Sequence, residues 1–368
     1  MTRKRLLLVG GGHAHLGILK QLRRFSDMGI ETTVVSPEQE HPYSGMAPGL
    51  VGGRYSLEEI RFPVRALTEA NGGIFLEGTV KRIDPEERRL FTDRGETISY
   101  DVASFNIGSV VPLESLVPAA ERDGIGVSIF PAKPVASLES ASIRIASSSG
   151  SERIAVVGGG PGGVELAANV QWRLGGAGTV SLYAGSTLLP RMPDRFRRLT
   201  AARLEELGVE VITGRRVQKI LRNGVVSADR WVPAATILVA VGVQPPRLFD
   251  ASGLPTGDNG GLLVDRTLRS VAYTDVFGGG DCIDLADRPL DKVGVYAVRE
   301  TKYLGRNIRA TLRGGKMKEF REDGNYLLIC NLAGGYGVGT KLGLTVGGSF
   351  IGSLKERIDS WFTKRHRR

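Results

Sequence analysis

Cysteine is nearly absent: two of the 368 residues, Cys282 and Cys330. Two thiols build no disulfide framework, in keeping with a reducing compartment. Long apolar runs are missing too, and none approaches the roughly 20 residues that cross a bilayer. Histidine is scarce, with four. His13 and His15 have a metal-like spacing, but no Asp, Glu or Cys cluster completes a site, so no metal is expected. No RNA- or DNA-binding motif is present, which removes nucleic acid as an expected partner although the formal net charge is +10. That charge points instead to anionic cofactors or an anionic membrane surface. Its densest cluster is Lys364-Arg365-His366-Arg367-Arg368. Arg3-Lys4-Arg5 before Leu6 to Val9 mimics a secretory signal, but the apolar stretch is too short and runs into glycines. It reads as a first strand, and a cytoplasmic protein of two or three domains is expected.

Glycine is plentiful, and its placement carries the information. Gly10-Gly11-Gly12-His13-Ala14-His15 follows the apolar run Leu6-Leu7-Leu8-Val9, and Gly158-Gly159-Gly160-Pro161-Gly162-Gly163 follows Ile154-Ala155-Val156-Val157. Gly278-Gly279-Gly280-Asp281 follows Asp275-Val276-Phe277. The pattern predicts strands at 5–9 and 31–36 around a helix at 14–25. A second unit has strands at 153–157 and 179–183 around a helix from Gly162 to about Leu174. Gly10 allows the tight turn, Gly12 admits a pyrophosphate to the backbone, and the helix amides face the phosphate charge. In the first unit His15 replaces the third glycine and Ser36 replaces the acid expected at the strand end. The second has Gly158, Gly160 and Gly163 in place, but Ala184-Gly185-Ser186 occupy its acid corner. With Arg191 nearby, NADH and NADPH both stay open. Apolar strands ending at Gly108-Ser109 and Gly242 read as crossovers, so one domain is inserted within another. The Ser/Ala-rich stretch 137–151 reads as a surface helix and loop.

Together these segments resemble the two-dinucleotide flavoproteins of the pyridine nucleotide-disulfide oxidoreductase superfamily, over residues 1 to about 310. Finer details are similar to type II NADH dehydrogenases and to a flavoprotein module fused to selenophosphate synthetase. They are Gly11 to His15, His41-Pro42-Tyr43-Ser44-Gly45-Met46, Asp291-Lys292 through Arg299, and a basic, Trp-containing tail. No synthetase portion is present, so a selenium role does not follow. The resemblance implies an α/β fold of two three-layer Rossmann-like domains, the NAD(P) domain inserted in the FAD domain, with a small C-terminal region. The corresponding division is 1–112 and 246–315 for FAD, 113–245 for NAD(P), and 316–368 for the C-terminal region.

It also implies FAD at the first fingerprint and NAD(P)H at the second. Gly10, Gly12, His13, Ala14, Ser36, Met46, Val80, Gly108, Ser109, Gly280, Asp281, Gly294 and Val295 are expected on the flavin side. Gly158, Gly160, Gly163, Arg191 and Gly242 are expected on the nicotinamide side. Glu165 matches a glutamate that approaches the nicotinamide and orients it. Lys292, ahead of a helix from Tyr296 to about Leu312, is expected to face the flavin's developing negative charge or the acceptor. Disulfide reductases of this superfamily carry a Cys-x4-Cys pair near residues 40–50, where this chain has no thiol; reduction through a dithiol therefore falls away. Electrons should leave the flavin directly, with quinone the first-choice acceptor. A soluble acceptor such as ferredoxin or a small electrophile is the alternative; a flavin-bound regulatory protein with little turnover is another. In the tail, Phe350, Ile351, Leu354, Ile358, Trp361 and Phe362 are expected on one helix face. Lys355, Glu356, Arg357, Asp359 and Lys364 are expected on the other, which suits a peripheral position on the cytoplasmic membrane face. That helix docked on the protein body is the competing reading, and a homodimer is left open.

Overall fold

The computed structural model describes residues 3–148, 151–322 and 324–367. Leu6, Leu7 and Leu8 are almost wholly buried, because the strand Lys4–Val9 lies at the centre of a five-stranded sheet covered on both faces. A parallel strand in that position reads as an unbroken apolar run instead of an alternating one. Strands Ile30–Ser36 and Ile74–Glu77 extend the sheet on one side, Val102–Phe105 and Val276–Gly278 on the other, all parallel. The second sheet repeats the plan around Arg153–Val157. Thr179–Tyr183 and Glu210–Ile212 lie on one side, Thr236–Val239 and Ile129–Pro131 on the other. All five of its strands fall between the fourth and fifth strands of the first sheet. The α/β class and the paired Rossmann-like sheets expected from sequence are thus present.

The outgoing and returning crossovers are bonded to each other: Val110 and Gln244 exchange backbone hydrogen bonds of 2.8 and 2.9 Å. Three antiparallel three-stranded sheets flank this frame, and the last, Leu328–Asn331, Gly337–Lys341 and Leu344–Gly348, leads into helix Ser349–Arg367. That C-terminal region touches both halves. Cys330, Leu332 and Val338 belong to the core of the second sheet, while Phe362 belongs to the core of the first.

Two elements differ from expectation. The helix predicted over 14–25 is broken into His13–Leu19 and Leu22–Ser26. The Gln21 side chain donates to the Gly17 carbonyl (2.8 Å), while the Gln21 amide bonds Ile18 O instead. The later helix starts earlier than predicted, running Gly294–Arg313. In the 137–151 stretch a helix spans Ala136–Ala146, and residues 149 and 150 lie outside the described residues. Among the described residues no helix is long and apolar enough to cross a membrane.

The fingerprint glycines set the helix-to-strand spacing. A Cβ on Gly163 would stand 1.7 Å from the Gly158 carbonyl oxygen, and that atom is backbone and cannot step aside. Gly163→Ala should therefore destabilise the fold by about 3 kcal/mol, the upper range for overpacking. A urea unfolding midpoint equal to that of the parent would refute this spacing role.

Candidate functional site

Gly10 holds φ +88°, and a Cβ there would lie 2.3 Å from the Asn106 carbonyl oxygen. Gly158 holds φ +125° with Ala240 O at 2.2 Å in the same relation. Both turns thus need glycine for backbone and space alike. Gly12 also lies close to a side chain: a Cβ there would meet Asn106 Oδ1 at 2.3 Å. That oxygen accepts the Ala14 N–H at 3.0 Å, while Asn106 Nδ2 donates to Gly279 O at 2.6 Å. Asn106 therefore ties the first fingerprint to the Gly-Asp motif, a link that sequence spacing does not suggest. Its one signal is a polar amide directly after a buried strand, at the sheet's carboxyl edge.

His15 occupies the third-glycine position and is wholly buried. Its Nδ1 lies 2.7 Å from Gly10 O and its Nε2 2.9 Å from Ser104 Oγ. A carbonyl only accepts, so Nδ1 carries the proton and Nε2 accepts from the serine. Burial depresses the pKa to about 4, so the ring is neutral. His13 opens the helix, and its ring sits among His41, Tyr43, Phe62 and Phe362, stacked on Phe362 at 5.8 Å. Its Nε2 is buried without a partner.

Ser36 closes its strand, and its carbonyl accepts the Gly78 N–H at 3.0 Å, two residues before the strand that opens at Val80. Met46 packs against Leu50 and Ile60. Ser109 donates to Asp281 Oδ2 at 2.8 Å, and Lys133 Nζ lies 3.5 Å from the same oxygen. The two predicted residues thus meet, joined by a lysine that no motif singles out. Gly280 N donates to Glu300 at 2.5 Å, and burial lifts that carboxyl to about 7. Gly280, Asp281, Lys292, Tyr296 and Glu300 line one hollow, with Gly294 and Val295 opening the helix beside it.

Two expected site residues have protein partners, and one expectation, the faces of the C-terminal helix, needs correction. Lys292 pairs with Asp284 at 2.7 Å and donates to the Ile283 carbonyl. The Arg191 guanidinium pairs with Asp291 at 3.0 Å. The C-terminal helix turns a mixed face inward. Ile351, Asp359 and Phe362 are buried and Lys355 nearly so, while Phe350 is 76% and Trp361 60% exposed. Lys355 and Asp359 go inside because each finds partners there. Lys355 Nζ donates to Asp359 Oδ2 (2.8 Å) and Gly45 O (2.9 Å), and Tyr43 donates to Asp359 Oδ1 at 3.0 Å. Burial works against the lysine's charge, yet Asp359 and Glu165 outweigh it and hold its pKa above the ordinary value. Glu165 accepts the Asn331 N–H at 2.8 Å, and burial raises its carboxyl to about 7.

The two thiols are inert. Both cysteines are free and buried; burial pushes Cys282 up to about 12 and Cys330 well above its usual range. Neither supplies a thiolate at neutral pH.

These features define a class: an α/β protein with a dinucleotide fingerprint at the carboxyl edge of each of two parallel sheets. The pyridine nucleotide-disulphide oxidoreductase family model matches residues 4–301, and the chain belongs to this family. It is a flavoprotein oxidoreductase dependent on NAD(P)H and related to type II NADH:quinone oxidoreductases. A demethylphylloquinone reductase of Synechocystis sp. is 28% identical over 333 residues, covering 85% of this chain and 81% of that protein. The type II NADH:quinone oxidoreductase of Staphylococcus saprophyticus is 22% identical over 383 residues, covering 97% and 94%. The sulfide:quinone oxidoreductase of Aquifex aeolicus shares the fold, with a TM-score of 0.80 and 17% identity over 99% of this chain and 91% of that one. The finer likeness to the module fused to selenophosphate synthetase gains no support from them.

FAD and NAD(P)H are the family's cofactors, and the residues present fit them. The Gly11 and Gly12 N–H groups find no acceptor among the described residues, and the space a Cβ would fill at Gly160 is open. Unpaired amides at a helix N-terminus are what a pyrophosphate takes. Asn106→Leu should strand the Ala14 N–H and the Gly279 carbonyl, costing about 1–3 kcal/mol for each. The expected result is a lower urea midpoint and protein that purifies with less flavin absorbance per chain. Unchanged flavin content would refute the linking role.

Proposed function

We propose that this chain takes hydride from NAD(P)H onto FAD and delivers the electrons to a quinone at a membrane surface. FAD supplies the two-electron relay between nicotinamide and acceptor. The observation that carries the reading is the polar knot of Glu165, Lys355, Asp359 and Tyr43. It joins the second fingerprint helix, the Tyr43–Met46 loop and the C-terminal helix. Reducing a quinone to its quinol consumes two protons as well as two electrons. Glu165, with its pKa near 7, can hold one of them at neutral pH, a role beyond the orientation of the nicotinamide expected for it. Lys355, kept charged by Asp359, can hydrogen-bond an acceptor oxygen that gains negative charge. Gly10, Gly12, Ala14, Ser36, Val80, Gly108, Ser109 and Asp281 hold the flavin in this reading, and Gly158, Gly160, Gly163 and Gly242 the nicotinamide. Lys292 holds Asp284 and shapes the strand end beneath Gly280.

A membrane location is supported by what the docked helix leaves outside. Phe350 and Trp361 stand exposed, as do Leu342 and Leu344 in the adjacent hairpin. Lys364, Arg365 and Arg367 are near, and an aromatic surface with a basic border suits an anionic interface. Docking on the protein body and contact with a bilayer are then compatible: one face of the helix docks, the other is free.

Three outcomes are expected. With flavin reduced anaerobically, quinone-dependent reoxidation should slow as pH rises through about 7, because Glu165 loses its proton there, and Glu165→Gln should flatten that profile. Lys355→Met should slow reoxidation roughly 100- to 1,000-fold while bleaching by the nucleotide changes little; equal slowing of both steps would sink the acceptor-side assignment. The Phe350→Ser, Trp361→Ser double variant should lose sedimentation with anionic vesicles at low salt. If the parent does not bind such vesicles, the membrane claim is wrong.

A further inference from the structure

The corner after strand Thr179–Tyr183 has lost its acid and gained something else. Tyr183 itself is buried in the core. Beyond it the chain bonds to the turn after the neighbouring strand. Ala184 N donates to Ile212 O at 2.8 Å, Gly214 N donates to Gly185 O at 2.6 Å, and Gly185 is bridged to Arg215. Gly214-Arg215-Arg216 is thereby laid against Ala184-Gly185-Ser186, where the ribose of a nucleotide on the second fingerprint comes to rest.

Both arginines are exposed. Arg153, Arg191 and Arg222 pair with Glu210, Asp291 and Glu121, but neither Arg215 nor Arg216 has a carboxylate partner among the described residues. Residues 183–193 and 211–217 contain no Asp or Glu at all, while Ser186 and Thr213 add exposed hydroxyls. The corner is thus cationic, hydroxyl-lined and free of the carboxylate that would repel a second phosphate. Arginine's planar fork matches phosphate oxygens with two parallel hydrogen bonds.

We propose that Arg215 and Arg216 form a 2′-phosphate subsite, so that this chain prefers NADPH to NADH. This rests on the nicotinamide reading of the second fingerprint given above, and it departs from the nucleotide in the name of the Staphylococcus relative. Arg191, suggested by sequence for this task, is held by Asp291.

The test is calorimetric titration of the purified holoprotein with 2′,5′-ADP and with 5′-AMP, backed by anaerobic flavin bleaching with each nicotinamide. 2′,5′-ADP should bind roughly tenfold or more tightly than 5′-AMP, the scale of charge-assisted hydrogen bonds at an exposed site. The Arg215→Ala, Arg216→Ala double variant should erase that difference while leaving 5′-AMP and NADH within about threefold. The double Lys variant should recover part of it. Equal binding of the two probes overturns the proposal, as does a double variant that weakens both probes alike. If NADH bleaches the flavin and NADPH does not, the subsite is wrong and the oxidoreductase reading stands. If neither nucleotide bleaches it, the redox reading fails, and the titration alone decides the subsite.

Discussion

Everything in this molecule hangs on a backbone carbonyl sitting where a side chain would otherwise be. Asn106 O lies against Gly10, and Ala240 O against Gly158, at distances no Cβ tolerates. That approach lets the chain turn at the end of the central strand and aim a helix at the crevice. Because Asn106 and Ala240 each directly follow the neighbouring strand, the constraint couples the fingerprint to the crossover. Asn106 then extends the coupling through its side chain to Gly279. The first fingerprint is in this sense one construction made from three separated stretches of chain.

The parts legible in the sequence are those with a local cause. Buried parallel strands read as apolar runs, and the turns after them read as glycines, so the residues alone place both central strands and both fingerprints. Ser109 and Asp281 each stand out in the sequence, and only the fold shows that they touch. What stays hidden is long-range partnership. Lys133, Glu300 and Asn106 carry no spacing signal, since their partners lie 148, 20 and 173 positions away. The C-terminal helix misleads for the same reason. Its charged residues read as a solvated face, and nothing local reveals that Tyr43, Gly45 and Glu165 wait underneath.

The C-terminal region also changes what the two sheets amount to. Its strands pack on the second core and its last helix on the first, so it ties the two cores together. The charge knot lies on that tie. A lysine buried with an aspartate is costly to desolvate and is retained only where its geometry is well satisfied. Here the Tyr43 hydroxyl and the Gly45 carbonyl, both from one loop, supply that geometry, and they fix the helix in register over it.

His15 carries a wider lesson about reading motifs. The third fingerprint position is normally described by its residue, glycine. In this chain the position holds an imidazole whose proton goes to the Gly10 carbonyl, the counterpart of the Gly158 carbonyl that Gly163 merely avoids. What is kept is a satisfied oxygen at the base of the helix, not an identity in the alphabet. A search that demands glycine there would pass over this chain, while one that asks what becomes of the Gly10 carbonyl would find it.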